Sequence, residues 1–453
     1  MGEIAKIAIR SAAMACVCIA AAGLGRAAFA DDAGKTTDAA AEGTQVAQNG
    51  IEVPTKETYV QRGRTVFERS RPEVRAMGVR AGTFIVLPHV AVNQEYNDNI
   101  FATADNEKDD FITHVEPGAY VTSDWNNHEV HFDASGDVAR YWDNSDEDYE
   151  NYRVGIGGRL DVLRSTSINA DARYQWLHEE RSSPDDVSGV EPTPFTVASA
   201  NIEGRHKINR VSLRAGGRID SYNFDDVQNA LGATINNDDR DRNDLTGYAR
   251  VGYELVQEYE AFIRGSYNTR NYDSAVDDSG FMRDSKGYEV VAGVSLDFGG
   301  LTFGDFFAGY RTQDYDDARL KTVSGPTVGA DITWNATPLT TLIGTVSRDV
   351  RETLTTDANG NTASARFFTT LGISAQHELL RNLLLGLDAS YSQDDFEGID
   401  RTDDIYRIGL NATYMMNRVV HLSGGYRYLV RDSESASSDF TINSLFVQVR
   451  LQY

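Results

Sequence analysis

Tyr152-Arg153-Val154-Gly155-Ile156-Gly157-Gly158-Arg159-Leu160-Asp161-Val162 puts Tyr152, Val154, Ile156, Leu160 and Val162 on one face and Arg153, Arg159 and Asp161 on the other. A period of two is the signature of a strand with one apolar and one polar side. The pattern recurs from Leu245 to Leu255, where Leu245, Ala249, Val251 and Tyr253 oppose Tyr248, Arg250 and Glu254. It recurs again from Tyr406 to Tyr414, where Ile408, Leu410 and Ala412 oppose Arg407, Asn411 and Thr413.

In a soluble sandwich the apolar face meets a second sheet, with short turns at both ends. Here the connections alternate between short and long. The short ones lie near Asn126-Asn127, Arg164-Ser165, Asn209, Gln257, Gly299-Gly300, Pro338, Arg381 and Asn417. The long ones are 97–110, 143–150, 179–191, 225–244, 273–284, 314–320, 355–361, 394–404 and 431–439. They separate eighteen strands at about 20 residues per strand and connection, enough to cross a bilayer at a tilt. The expected fold is therefore all-β, a transmembrane antiparallel up-and-down β-barrel of about 18 strands. Its last stretch, Leu445 to Tyr453, alternates to a terminal aromatic, like the signal read by the barrel assembly machinery.

Composition points the same way. The 453 residues include 39 glycines, 22 tyrosines and 19 phenylalanines but only 9 prolines. No run of 18 apolar residues exists, which excludes a helical bundle in the membrane. The formal charge of -25 removes the basic face that nucleic acid requires. Cys16 and Cys18 lie in a stretch read as removed, so disulfides and cysteine-ligated metals are excluded.

Residues 1–30 carry Lys6 and Arg10, an Ala-rich apolar stretch and Ala28-Phe29-Ala30, a signal peptide expected to be cut after Ala30. Residues 31–82 form a periplasmic N-terminal segment, expected to be largely disordered. Within it, 54–82 is locally basic through Arg62, Arg64, Arg69, Arg71, Arg75 and Arg80. Docking at the barrel mouth and a solvated linker both account for that. Residues 83–453 are the barrel.

The polar faces place Arg153, Arg159, Arg173, Arg214, Arg218, Arg250, Arg264, Arg407 and Arg427 in the lumen, with acidic residues such as Asp133, Asp137, Asp161 and Glu203 among them. Arginine rings select anions, and an arginine ladder opposite carboxylates sets up a transverse field. Mutual neutralisation inside a polar barrel explains the same residues. Tyr141, Tyr248, Phe262 and Phe307 on the inner face are candidates for stacking on sugars, or for packing. The long segments hold most of the negative charge, at Asp146, Glu147, Asp148, Asp238, Asp239, Asp394, Asp395, Asp403 and Asp404 among others. This outer rim either binds divalent cations shared with lipopolysaccharide or is simply solvated. No EF-hand spacing, no H-E-x-x-H and no G-x-S-x-G occurs, so no catalytic residue, metal or cofactor is assigned. His421 and Ser423 share a strand face, a weak echo of a hydrolase dyad.

Arg71-Pro72-Glu73-Val74-Arg75-Ala76-Met77-Gly78-Val79-Arg80-Ala81-Gly82-Thr83-Phe84, then Pro88 and Glu95-Tyr96-Asn97-Asp98-Asn99-Ile100-Phe101, resemble the putative β-barrel porin family, also called outer membrane beta-barrel proteins. Asp110-Phe111-Ile112-Thr113, Pro117 and Ser123-Asp124-Trp125 continue the likeness. The resemblance implies an outer-membrane location in Gram-negative bacteria. Because some members occur with exopolysaccharide export genes, it also implies a polysaccharide conduit with export components as partners. Two other readings stand beside it. A general diffusion porin would fold a constriction loop inward, with 225–244 the expected segment, and a structural or adhesion barrel would be plugged and act through cation-bridged acidic loops.

Overall fold

The computed structural model describes residues 63–357 and 359–453. The signal peptide, the cut after Ala30 and residues 31–62 lie outside the described residues. Eighteen long strands follow one another: β1 (Phe84–Asn97), β2 (Asp110–Ser123), β3 (Glu129–Tyr141), β4 (Tyr149–Leu163), β5 (Thr166–His178), β6 (Pro194–Ile208), β7 (Val211–Phe224), β8 (Arg242–Val256), β9 (Tyr259–Tyr272), β10 (Ser285–Asp297), β11 (Thr302–Tyr315), β12 (Val323–Thr337), β13 (Thr340–Arg351), β14 (Ala365–Leu380), β15 (Leu383–Glu397), β16 (Thr402–Met415), β17 (Val420–Ser433) and β18 (Phe440–Gln452). Each pairs antiparallel with its chain neighbours, and β18 returns to β1 in a register that sets Leu451 opposite Val90 and Leu445 opposite Tyr96. The closed eighteen-strand barrel is the one the alternation predicts. Closure leaves no unpaired edge where lipid could not satisfy it.

The outer face explains why the strands need lipid. Val154, Ile263 and Val447 are 58%, 61% and 66% exposed, a density of bare aliphatic surface that water does not tolerate on a monomer. Aromatic side chains gather at both ends of this band. Tyr96, Phe111 and Trp142 form a run with centroids 5.1 and 5.4 Å apart near the long loops, and Phe84 and Trp125 meet at 5.7 Å near the short turns. Such rings belong at the membrane interfaces.

The inner face is polar but packed. Gly293 and Gly329 leave the floor on which the Phe262 and Phe307 rings lie, and a Cβ at Gly329 would collide with the Phe307 ring. Rings laid over glycine in this way cover bare backbone and pin register.

Two expectations are corrected. The segment 394–404 is not a loop: Asp394 and Asp395 belong to β15, Asp403 and Asp404 to β16, and only residues 398–401 turn. Runs of aspartate suggest solvent, yet the barrel interior is itself polar, so inward carboxylates continue a strand. Asp394 pairs with Arg366 at 2.6 Å and Asp403 with Arg401 at 2.6 Å, all four groups being largely withdrawn from water.

Residues 63–82, expected within a largely disordered segment, have defined positions. They form a belt along the inner wall at the short-turn end. The Val66 N–H donates to Thr341 Oγ1 at 2.9 Å, the Phe67 N–H to Gln376 Oε1 at 3.1 Å, and Arg71 pairs with Glu378 at 2.7 Å. Val66 and Val74 pack with Leu384 and Met415, and Val79–Ala81 then pairs with β1. Arginines that resemble solvated charge find carboxylate and carbonyl partners in the wall.

Candidate functional site: the lumen and its constriction

Eighteen strands about 4.8 Å apart and tilted by about 40° enclose a ring roughly 35 Å across between backbones. Wall side chains alone leave such a ring wide open. The residues between β5 and β6, 179–193, narrow it. Their base is fixed by the Glu179 N–H donating to the Thr193 carbonyl at 2.8 Å and by Arg240, which forks onto both Glu179 oxygens at 2.8 and 2.7 Å. Arg181 grips Glu147 at 2.6 and 2.9 Å. Beyond these anchors the loop leaves its own wall. Asp185 accepts from Thr353 Oγ1 and from the Leu354 N–H at 3.2 Å, and it faces Arg366 at 3.7 Å. Those partners lie at β13 and β14, eight strands away round an eighteen-strand ring. The Ser182 carbonyl accepts from Arg431 of β17 at 2.9 Å. The loop therefore crosses the lumen.

The far landing point is itself held. Arg283 donates to the carbonyls of Thr353, Ala363 and Ser364 at 2.8, 3.0 and 3.3 Å and pairs with Asp277 at 2.8 Å. The segment expected to fold inward, 225–244, supports the crossing loop: Arg240 holds Glu179, and the Gln228 carbonyl accepts from the Val190 N–H at 2.8 Å. It closes on itself through a hairpin of Val227–Gln228 with Thr234–Ile235, and Asn237 caps the Asp225 carbonyl at 3.0 Å. The groups that reach the far wall belong to the shorter 179–193.

Burial alters the charges on the crossing loop. Glu180 is pushed up to about 7, first by desolvation and then by the carboxylates of Glu95 and Asp137. His178 Nε2 stands 3.6 Å from it. Glu179 and Asp186 are also raised by burial, opposed by Arg240 and Arg181 respectively.

Arg153, Arg173, Arg214, Arg250, Arg264 and Arg407 each sit beside an exposed apolar residue of the same strand, Tyr152, Tyr174, Leu213, Val251, Ile263 and Tyr406 in turn, and so point to the opposite side of the sheet. The nine arginines read as luminal differ in their surroundings. Arg159 pairs with Asp161 and Arg218 with Asp220, each at 2.6 Å, and Arg153 approaches Asp133 at 4.0 Å. Arg250 sits between Glu260 and Asp305, both at 3.2 Å, Arg264 meets Glu289 at 3.2 Å, and Arg427 reaches Glu95 of β1 at 3.5 Å. Arg407 stands beside Ser390 across the β15–β16 ladder. Arg173 has its buried Nε without a hydrogen-bond partner among the described residues. Register reveals what the sequence does not: Arg205, Arg214, Arg250 and Arg264 occupy mutually opposed positions on β6, β7, β8 and β9, one continuous row across four strands. Like charges directly opposite repel, and the row is held by carboxylates and by ring faces. The Arg250 guanidinium lies 3.5 Å from the Phe262 centroid and that of Arg264 4.6 Å from Phe307. Those two rings are thus covered by cations and not open for a sugar to stack on, and the Tyr248 hydroxyl is tied to Glu203. Tyr141 lies against the Ile100, Ile112 and Ala139 cluster.

The acidic residues divide. Asp146 and Asp238 are exposed. Glu147 is buried on Arg181, Asp239 accepts from the Asp278 N–H at 3.1 Å, and Asp148 accepts from the Tyr141 N–H at 2.8 Å. With Asp394 and Asp403 buried in the strands, the rim is in part an internal ion-pair network. Among the described residues no group of three or more His, Cys, Asp or Glu is disposed to hold a metal ion. His421 and Ser423 do not meet: the Ser423 hydroxyl contacts Thr413 at 3.0 Å and His421 the Val74 carbonyl at 3.2 Å.

Residues 71–453 match the family described as "Putative beta-barrel porin 2". Curated proteins offer no match. Solved structures similar to the chain include OpdK of Pseudomonas aeruginosa, at 13% identity over 81% of this chain and 99% of that one with a TM-score of 0.42. OccAB4 of Acinetobacter baumannii aligns at 12% identity over 81% and 98%, with a TM-score of 0.42. A ferric enterobactin receptor mutant of Pseudomonas aeruginosa aligns at 6% identity over 81% and 80%, again at 0.42.

Proposed function

The chain belongs to the putative beta-barrel porin 2 family, an outer-membrane channel fold, and on that premise we propose that it passes small polar solutes by diffusion through a lumen narrowed by residues 179–193. The observation that carries this is the landing of Asp185 on Thr353, Leu354 and Arg366 across the ring. A fixed crossing segment sets a size limit and presents charged groups to whatever passes it. Export of an exopolysaccharide is the competing reading, favoured by family resemblance. A polymer chain needs a continuous wide path, which a tethered crossing loop and a belt at the other end both obstruct. In this reading the protein reaches the outer membrane through its leader, and the assembly machinery recognises β18. Lipopolysaccharide surrounds the barrel.

The test is single-channel conductance of the refolded mature protein in planar bilayers, with and without acidic polysaccharide fragments, beside Asp185→Ala. We expect steady conductance indifferent to the fragments, and a conductance in Asp185→Ala that is larger or fluctuates between levels. Block by the fragments would favour the export conduit, and a silent barrel would favour a structural role.

A further inference from the structure

One seam of the wall is zipped for only part of its length. β12 and β13 pair from Thr337 and Thr340 up to Gly329 and Ser347, where the ladder stops. Both strands run on toward the long-loop end, β12 to Val323 and β13 to Arg351. On their other sides they stay paired, Val323 with Gln313 of β11 and Arg351 with Arg366 of β14. Residues 323–328 and 348–351 therefore face one another without a ladder. Gly325-Pro326 accounts for the break, since proline has no N–H to give and sits in sheets at edges. In lipid such an edge is costly, because nothing there can hydrogen-bond it.

Side chains fill the break. Val323, Val350, Ala365 and Phe367, none more than 3% exposed, form an apolar cluster backed by Tyr315. A Cβ at Gly325 would come within 3.2 Å of the Phe367 ring, so the ring occupies the space a side chain there would need. The Arg348 guanidinium lies 4.2 Å from the centroid of that ring and donates to Thr369 Oγ1 at 2.6 Å. Thr327 Oγ1 ties the two strands by donating to the Arg348 carbonyl at 3.2 Å, and the Val350 carbonyl accepts from Arg270 at 3.0 Å. Parting a paired seam strands a row of backbone groups in lipid, whereas parting this one breaks a side-chain bond and moves a ring. The crossing loop lands beside it, on Thr353 and Leu354 just past β13 and on Arg366 of β14. A solute stopped by that loop stands next to the weakest line of the wall.

We propose that the upper β12–β13 seam is a side port, through which the alkyl chain of a single-chain amphiphile passes between the lumen and the outer leaflet, with Phe367 as its stopper. The ionic lumen receives the head of such a molecule and the apolar seam its tail. This goes beyond diffusion of polar solutes along the barrel axis. An opening stoppered by one ring admits a single chain more readily than the paired chains of a phospholipid.

The test is photolabelling of the mature protein in nanodiscs with a hexadecanoate bearing a diazirine, and in parallel with a phospholipid bearing the same chain. Adducts are mapped by mass spectrometry and normalised to the outward Leu371, which is 49% exposed. Heat-modifiable migration on gels confirms that each variant is a folded barrel. Expected are adducts of the free acid on Val323 and Val350 and none on Phe262, Val291 and Phe307, which are buried as deeply behind fully paired strands. Phe367→Ala should raise labelling of Val350 about tenfold, as removal of a buried ring allows, and leave Val291 unlabelled. Three results overturn the proposal: labelling of Val323 and Val350 no greater than of Val291, unchanged labelling in folded Phe367→Ala, or equal labelling by the phospholipid, which would make the seam a lipid-filled crevice. None of them touches the channel reading, which rests on conductance.

Discussion

Glu180 shows how one residue acquires a property its sequence neighbours do not announce. Glu179-Glu180-Arg181 reads as ordinary loop charge, but the loop turns inward and carries Glu180 beside Glu95, Asp137 and His178. Its carboxyl, ordinarily near 4.5, holds its proton up to about 7. A carboxyl raised in the docked loop means the docked form binds the extra proton, so docking is favoured at low pH. That contribution is lost progressively as pH rises from about 4.5 to about 7 and is constant above. Bilayer recordings across this range should show lengthening open-level fluctuations and growing cation preference as pH rises. Glu180→Gln should remove the inflection, and an identical pH profile in that variant would refute the assignment. Asp394 and Asp403 make the complementary point, being carboxylates that look exposed by composition and are neutralised inside the wall by Arg366 and Arg401.

Among the elements, the belt of residues 63–82 departs furthest from its sequence reading. Its basic character was visible, and so was docking as one of two possibilities, but its partners were not. Arg71 and Glu378 come from positions 307 residues apart and their side chains are 2% and 9% exposed. Removing one partner of such a buried pair costs about 3–5 kcal/mol, because the other charge is left in a poor solvent. Arg71→Ala and Glu378→Gln should each release the belt to protease while the barrel keeps its heat-modifiable migration. The paired change Arg71→Met with Glu378→Leu should release it much less, since no lone charge remains. If all three variants are cleaved at the wild-type rate, the pair does not hold the belt. The crossing loop 179–193 illustrates the same dependence: loop length pointed to 225–244, while the groups that reach Thr353 and Arg366 belong to the shorter segment.

On the scale of the whole molecule the barrel separates two chemistries, aliphatic outside and ionic inside, and the luminal charge is arranged by strand order. Arg205, Arg214, Arg250 and Arg264 form their row because β6 to β9 are neighbours in a fixed register. Replacing Arg214 and Arg218 together with Glu reverses charge on this arc, and the reversal potential in a salt gradient should move toward cation selectivity. An unchanged potential would mean that ions pass elsewhere. Strand number, the sides of the wall and the eight short turns were legible in the sequence, because a period of two is a local property: each residue's neighbours at two positions either way share its face whatever the rest of the chain does. The amphipathic last strand belongs to the same class, and Leu445 to Tyr453 read correctly without knowledge of β1. What the tertiary structure alone decided is every relation between residues far apart in the chain: which loop crosses, where the belt lies, which arginines stand side by side and which carboxylates are buried. Those depend on closure and register, which bring β5 opposite β13 and residue 71 beside 378. The alternating pattern that directs each strand into the wall says nothing about which strand will face it.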